Sequence, residues 1–441
     1  MTERLIEIYQ LYLITLKEGL SISYLRALFP FVIFIEMPFY IIVVISILRT
    51  YIDEIFSVQN KLEYCPNVTC LVCGYSEGKD ITITLKSLTE QLYPGNIEIL
   101  ILIDDAINNA STYKAAKHFI DTYKIPHNRK LILIPKRTRG GHSSSLNLGL
   151  KLAKGDILVS LDGDCGCDND LVLSAVRGFK DGNIVGSSGT LRVRNAKTSL
   201  VTRLQAIEYM LGIPLTRVGL STLNIVNNIS GALGIYRTNF LRKIGGWKSG
   251  TAEDLDLTLR MKSYFKRHPN LRIIHNPKVV AHTDAPDTWR SFIKQRLRWD
   301  GDIIYIFCYR HWRVLRPKYL GWVGFLAAIW NILLLHVVLP FIITFGFIVL
   351  FVKYPMHTAC VALLLSYTYY LFITVFLYTI YWLLISERKL YDMSFMPLIV
   401  IFPFFTVFSR ILSAFAIVCE LVLRTHRDTS MNPWWVNRKN H

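Results

Sequence analysis

Acidic residues are scarce in this chain. Its 441 residues carry 32 Asp and Glu against 50 Lys and Arg, a formal charge of +18. An excess of that size points to a polyanionic partner: nucleic acid, anionic lipid headgroups or the diphosphate of an activated sugar. Charged residues make up only 19% of the chain and hydrophobic ones 52%, so part of it belongs in lipid. With four apolar blocks present, nucleic acid is set aside as a partner. A cysteine framework is also missing. The eight cysteines follow no regular spacing, and Cys70-x-x-Cys73 has neither a second pair nor a His-x-x-x-His to complete a zinc site. Cys65, Cys70 and Cys73 fall in or beside an apolar run and read as small thiols in a reducing cytosol.

A spanning helix needs about 20 apolar residues. The first block, residues 28–50, has no small-residue cleavage site after it, which makes it an anchor and not a signal peptide. Residues 1–27 precede it, and within them positions 4–16 have the spacing of a helix lying on a membrane surface. Residues 319–423 hold three further blocks, separable near Pro340, Pro397 and Pro403, with a tail at 424–441. Two of these blocks exceed one straight span, so each should combine a tilted helix with an interfacial or re-entrant piece. Arg388 and Lys389 place the connection 386–392 on the cytoplasmic side. One span before the polar region and three after it would leave both termini outside, which conflicts with Arg424, Arg427, Arg438 and Lys439 in the tail. Glu36, His336, Arg410 and Glu420 lie inside apolar blocks, where ionisable groups either line an aqueous path or pair with one another.

Residues 62–312 change pattern. Short apolar runs at 68–73, 97–103, 130–134 and 157–161 alternate with amphipathic stretches at 80–92, 110–123 and 143–154. That alternation predicts an α/β domain with a mostly parallel sheet, inserted between transmembrane helices. Ligands bind such sheets at the carboxyl ends of the strands. Three polar signals stand there: Tyr75-Ser76-Glu77, Asp104-Asp105 and Asp162-Gly163-Asp164.

Two alternate carboxylates at a strand end can share one hard cation with a diphosphate. Further along, Ala252-Glu253-Asp254 opens a predicted helix with acids, where the helix dipole favours them and a proton-accepting base can sit. Gln295, Arg298 and Trp299 share one face of another helix, so amide, guanidinium and indole can line a single cleft.

In that order, the motifs resemble those of the processive family 2 glycosyltransferases, which include cellulose, hyaluronan, chitin-oligosaccharide and poly-N-acetylglucosamine synthases. The resemblance covers most of the chain. It implies a GT-A nucleotide-sugar domain, Mg2+ or Mn2+, a UDP-sugar donor, a growing glycan chain as acceptor, and inversion at the anomeric carbon. It also implies a multi-pass plasma-membrane protein with a cytosolic catalytic domain that exports its polysaccharide product. By the same resemblance Asp164 binds the metal, with Asp162 at the metal or the ribose. Tyr75, Glu77 and Asp104 hold the nucleotide, Asp254 is the base, and Glu253 orients its loop. Gln295 and Arg298 serve the diphosphate, and Trp299 stacks on the terminal sugar. Two positions depart from the family pattern: His142 stands where a Lys is usual, with Arg137 or Arg139 to supply the missing charge, and Ala252 replaces a Thr. Asp284-x-Pro286-x-Thr288 shortens the family's Glu-x-Pro-x-Thr by a methylene. Gly231–Arg237 resembles the small-residue segment behind the acceptor. A non-processive relative that glycosylates a polyprenyl phosphate or ceramide would share all the carboxylates and stands as the alternative.

Overall fold

The computed structural model describes residues 31–56, 64–248 and 250–427, with Ile6, Gln10 and Ile14 as single positions. The expected surface helix at residues 4–16 and nearly all of the tail lie outside them.

β1 (Val68–Gly74), β2 (Ile97–Ile103), β3 (Arg129–Pro135) and β4 (Ile157–Asp162) fall where the apolar runs place them. β1 pairs in parallel with β2 and β4, and β2 pairs in parallel with β3. β1 is buried at every position, as a strand covered on both faces must be. Cys70 and Val72 face Leu85 and Leu88 of helix Ile81–Thr89. The intervening Leu71 and Cys73 face Leu146 and Leu150 of helix His142–Leu152.

The second half of the sheet is mixed. β5 (Gly166–Cys167), β6 (Ile184–Val193), β7 (Leu233–Arg237) and β8 (Arg272–Thr283) complete the order β3-β2-β1-β4-β7-β6-β8-β5. β7 runs antiparallel to both β4 and β6, and β5 antiparallel to β8, while β6 and β8 are parallel. The parallel arrangement expected from sequence therefore holds through β4 and then gives way. The wedge is β7, which lies between β4 and β6 and runs against both.

Among the described residues, four helices are long and apolar enough to cross a membrane: Val32–Asp53, Pro317–Lys353, Met356–Ile385 and Phe402–Leu423. The second is interrupted at Gly321, whose φ of 71° is not helical, and not at Pro340 as its sequence suggests. Pro340 follows a π-helical stretch, Ile329–Val338, whose looser register already displaces the hydrogen bond that proline cannot donate. Pro397 and Pro403 do sit at starts, in the tight turn Met396–Val400 and in the first turn of Phe402–Leu423.

The apolar helices are joined to the sheet domain and not merely tethered to it. Val43 and Ile47 of the first are buried in the domain's own core, with Gly219 packed directly on Val43. The connection before Asp392 docks on the strand ends: Arg388 reaches Asp168 at 2.6 Å, and Arg192 of β6 pairs with the fully buried Asp392. Phe402–Leu423 lies alongside the charged helix Trp289–Ile304 for its whole length. Phe405 meets Trp289 and Phe292, Ser413 donates to Asp300 at 2.8 Å, and Glu420 and Thr425 lie against Gly301.

Candidate active site

The acidic tips gather at the carboxyl edge of β1 and β4. Asp162 ends β4, and Asp164 follows across Gly163. A side chain at residue 163 would meet the Cys73 carbonyl at 2.9 Å, so only glycine lets this turn press against β1. Ligand atoms of Asp162, Asp164 and Cys165 lie within 4.8 Å of one another. Burial, with Asp164, Glu253 and Asp254 close by, lifts Asp162 to about 6 despite the opposing pull of His142. Glu77 is lifted to about 7 by burial and by the same two aspartates, and its Oε2 is buried without a hydrogen-bond partner. Crowded carboxylates with an orphaned oxygen fit a hard dication held by oxygen. The Cys165 thiol is a poor fit, because burial first, and then Asp162 and Asp164, hold it well above the usual thiol range.

Glu253 and Asp254 open the helix Glu253–Phe265. Ala252, just before them, takes the left-handed conformation (φ 51°), a strained backbone for a residue with a Cβ. It leaves the helix without a side-chain cap, as the loss of the family's threonine implies. Asp254 Oδ2 accepts from Asn228 Nδ2 at 2.8 Å and from the Gly231 amide at 3.0 Å, while Oδ1 accepts from the Leu255 amide at 2.7 Å. Burial and the neighbouring Glu253 raise Asp254 above the ordinary aspartate range. Glu253 moves the other way, since His142 outweighs the effect of its burial.

His142 joins the two acidic motifs. Its Nδ1 is 2.8 Å from Glu253 Oε1, and its Nε2 is 3.4 Å from Asp162 Oδ1. Burial opposes a charge on this ring, yet Cys73 and Glu253 beside it hold its pKa well above the ordinary histidine value.

The remaining residues are placed as follows. Tyr75 is exposed, with the Arg139 guanidinium 4.3 Å above its ring, so Arg139 lies at the Tyr75 rim. Asp104 is buried and committed to the protein. It takes Lys136 Nζ at 2.5 Å and the Gly140 and Gly141 amides at 3.0 and 2.9 Å. These contacts shape the loop ahead of His142. The Asp105 carboxylate accepts from Asn108 Nδ2 at 3.1 and 3.0 Å.

In helix Trp289–Ile304, Arg298 is near enough to lower Glu253. Gln295 Oε1 is buried without a partner. Trp299 is partly buried in the core, with the Arg296 guanidinium 4.8 Å over its ring, so one of its faces is already covered. Asp284 forms a two-bond pair with Arg194, whose Nη1 also donates to the Asp164 carbonyl at 3.0 Å. Thr288 caps the helix through Ser291.

Sequence reasoning missed Asp302. It is buried and accepts from Thr251 Oγ1 at the approach to Glu253. Burial is the main cause of its rise to about 7; Arg298 opposes the shift, and Asp254 and Glu253 add to it. Its place one turn past Arg298 was the only available signal. An aspartate whose folded pKa exceeds its unfolded value near 3.9 stabilises the fold below that value and loses the contribution as pH rises through about 7. Asp302→Asn should therefore flatten the fall in melting temperature between pH 5.5 and 8.5, by the equivalent of roughly 2 kcal/mol. Thermal scans of the two proteins that run parallel across that range would contradict this.

The sheet brings the acidic end of β4 and the acidic start of the helix Glu253–Phe265 together around one histidine, on a sheet of GT-A fold. Residues 69–245 match the model of glycosyl transferase family 2. It is similar to the poly-beta-1,6-N-acetyl-D-glucosamine synthase of Staphylococcus epidermidis, 24% identical over 271 residues (61% of this chain, 62% of the relative). It is also similar to that of Staphylococcus aureus (strain COL), 27% identical over 233 residues, 53% of each chain. The chain thus spans between about half and three fifths of these relatives' length. Among solved structures, the mannosyltransferase PcManGT from Pyrobaculum calidifontis, in complex with GDP-Man and Mn2+, shares the fold. Its TM-score is 0.57 at 18% identity, covering 92% of this chain and 99% of that one.

Proposed function

We propose that this protein is a membrane-embedded, inverting polysaccharide synthase that extends a glycan from a UDP-sugar and passes it along its apolar helices. UDP-N-acetylglucosamine is the first donor to test, given the relatives' product. The observation that supports the reading best is the single acidic pocket in which Asp162 and Glu253 flank one histidine. The donor's nucleotide rests against Tyr75, with Arg139 at the same rim. Asp164 and Asp162 would hold Mg2+ or Mn2+, which supplies positive charge to the departing diphosphate. Arg298 adds a fixed cation near the acid pair. Asp254 takes the proton of the acceptor hydroxyl as its oxygen attacks the anomeric carbon. Its three amide donors fix the carboxylate, and its raised pKa suits a group that must accept a proton. The catalytic domain faces the cytosol, and residues 62–312 form it.

Purified full-length protein in nanodiscs, given labelled UDP-N-acetylglucosamine, UDP-glucose, UDP-glucuronic acid or GDP-mannose with either metal, tests this. A long polymer from a UDP-sugar is the expected result. Transfer of one sugar to an added polyprenyl phosphate, without a polymer, would replace this reading with the lipid-acceptor alternative.

A further inference from the structure

We propose that His142 is a positioning residue, not a phosphate ligand: it ties the metal carboxylate Asp162 to Glu253 and so sets the spacing between donor and base. This rests on the transferase reading above and adds a role specific to this chain.

The geometry favours a tie over a ligand. Helix His142–Leu152 begins at this residue, after the left-handed Gly141 (φ 80°). Asp104 grips the Gly140 and Gly141 amides, so the position of the ring is set from behind. In front, Nδ1 meets Glu253 Oε1 at 2.8 Å. Nε2 is buried and has no hydrogen-bond partner, and Asp162 Oδ1 stands 3.4 Å from it. A nitrogen that water cannot reach is closed to a diphosphate oxygen as well. The ring thus stands between the end of β4 and the first turn of Glu253–Phe265, within ion-pair range of both carboxylates. Asp254, the next residue, is held by its own amide donors and moves with that turn. A lysine here would bring one mobile ammonium, whereas the histidine sets two nitrogens at fixed separation on opposite sides of a rigid ring.

The test uses His142→Ala, His142→Asn and His142→Lys in full-length protein. Calorimetric UDP affinity in the presence of Mn2+ is measured beside turnover. Loss of a spacer should lower kcat by roughly 10- to 100-fold in His142→Ala, since small misplacements are costly in transfer reactions. UDP affinity and donor KM should stay within about threefold, because no phosphate contact is lost. Asn, which can present an amide where Nδ1 donates to Glu253, should recover part of kcat. Lys should recover less than Asn. A fall in UDP affinity matching the fall in turnover, restored by Lys, would overturn the proposal in favour of a phosphate ligand. Unchanged kcat in His142→Ala would also overturn it. Transfer by the wild type from the UDP-sugars, run in parallel, separates the two levels: if it transfers no sugar, the underlying transferase reading fails and not the tie alone.

Discussion

Replacing Asp254 with asparagine is expected to cut sugar transfer by about 10^3-fold while leaving UDP binding within a factor of two. General bases contribute roughly 10^2–10^4-fold, and no second group stands in this one's place. Among the described carboxylates beside it, Glu253 is committed to His142 and Asp302 to Thr251. The loss should appear in kcat, because the interaction is needed only as the acceptor proton leaves. Asparagine also sets an amide against one of the three N–H groups that now point at the carboxylate, so some stability should be lost as well. Asp254→Ala avoids that clash and should be equally inactive. Initial rates with sized products, together with thermal scans of both variants, decide the matter. Activity within tenfold of the wild type in either variant would mean the base lies elsewhere.

Asp392→Ala should be the most destabilising single change outside the pocket, costing roughly 3–5 kcal/mol. Asp392 is fully buried where the third apolar helix turns back toward the domain, and it holds Arg192 of β6. Ser386 Oγ donates to it at 2.6 Å and Tyr381 OH at 3.0 Å. Removing the carboxylate leaves a mostly buried guanidinium without its partner, which costs far more than the pair itself is worth. Arg192→Met combined with Asp392→Leu should be milder than Asp392→Ala, since no lone charge remains. Melting in detergent, with protease sensitivity of residues 386–400 as a second reading, checks both. A melting temperature unchanged in Asp392→Ala would show that the connection is not clamped here.

Much of this arrangement is legible in the sequence where burial and periodicity agree. β1 to β4 are each built on a short apolar run, so their ends, and with them Asp162 and Glu77, could be placed from the sequence. β6 could not. It reads Ile-Val-Gly-Ser-Ser-Gly-Thr-Leu-Arg-Val and resembles a loop, yet nine of its ten positions are buried. Its small residues answer to crowding: a Cβ at Gly189 would sit 2.3 Å from Leu233 and 2.7 Å from the Val279 carbonyl. β8 hides for a related reason, carrying Pro277 and three polar residues in mid-strand. In the pocket, residue types were readable but commitments were not. Asp104 stands at a strand end in the sequence, and only the structure shows that its carboxylate meets Lys136 and two glycine amides. Trp299 likewise has the right helix face, but nothing in the local sequence says that Arg296 lies over its ring.

The last apolar helix has a consequence for how the site can move. Phe402–Leu423 keeps company from end to end with Trp289–Ile304, a segment carrying Arg290, Lys294, Arg296, Arg298, Asp300 and Asp302, which hydrocarbon would not accept. Any displacement of that segment, and of Arg298 within it, must therefore be taken up by Phe402–Leu423 as well.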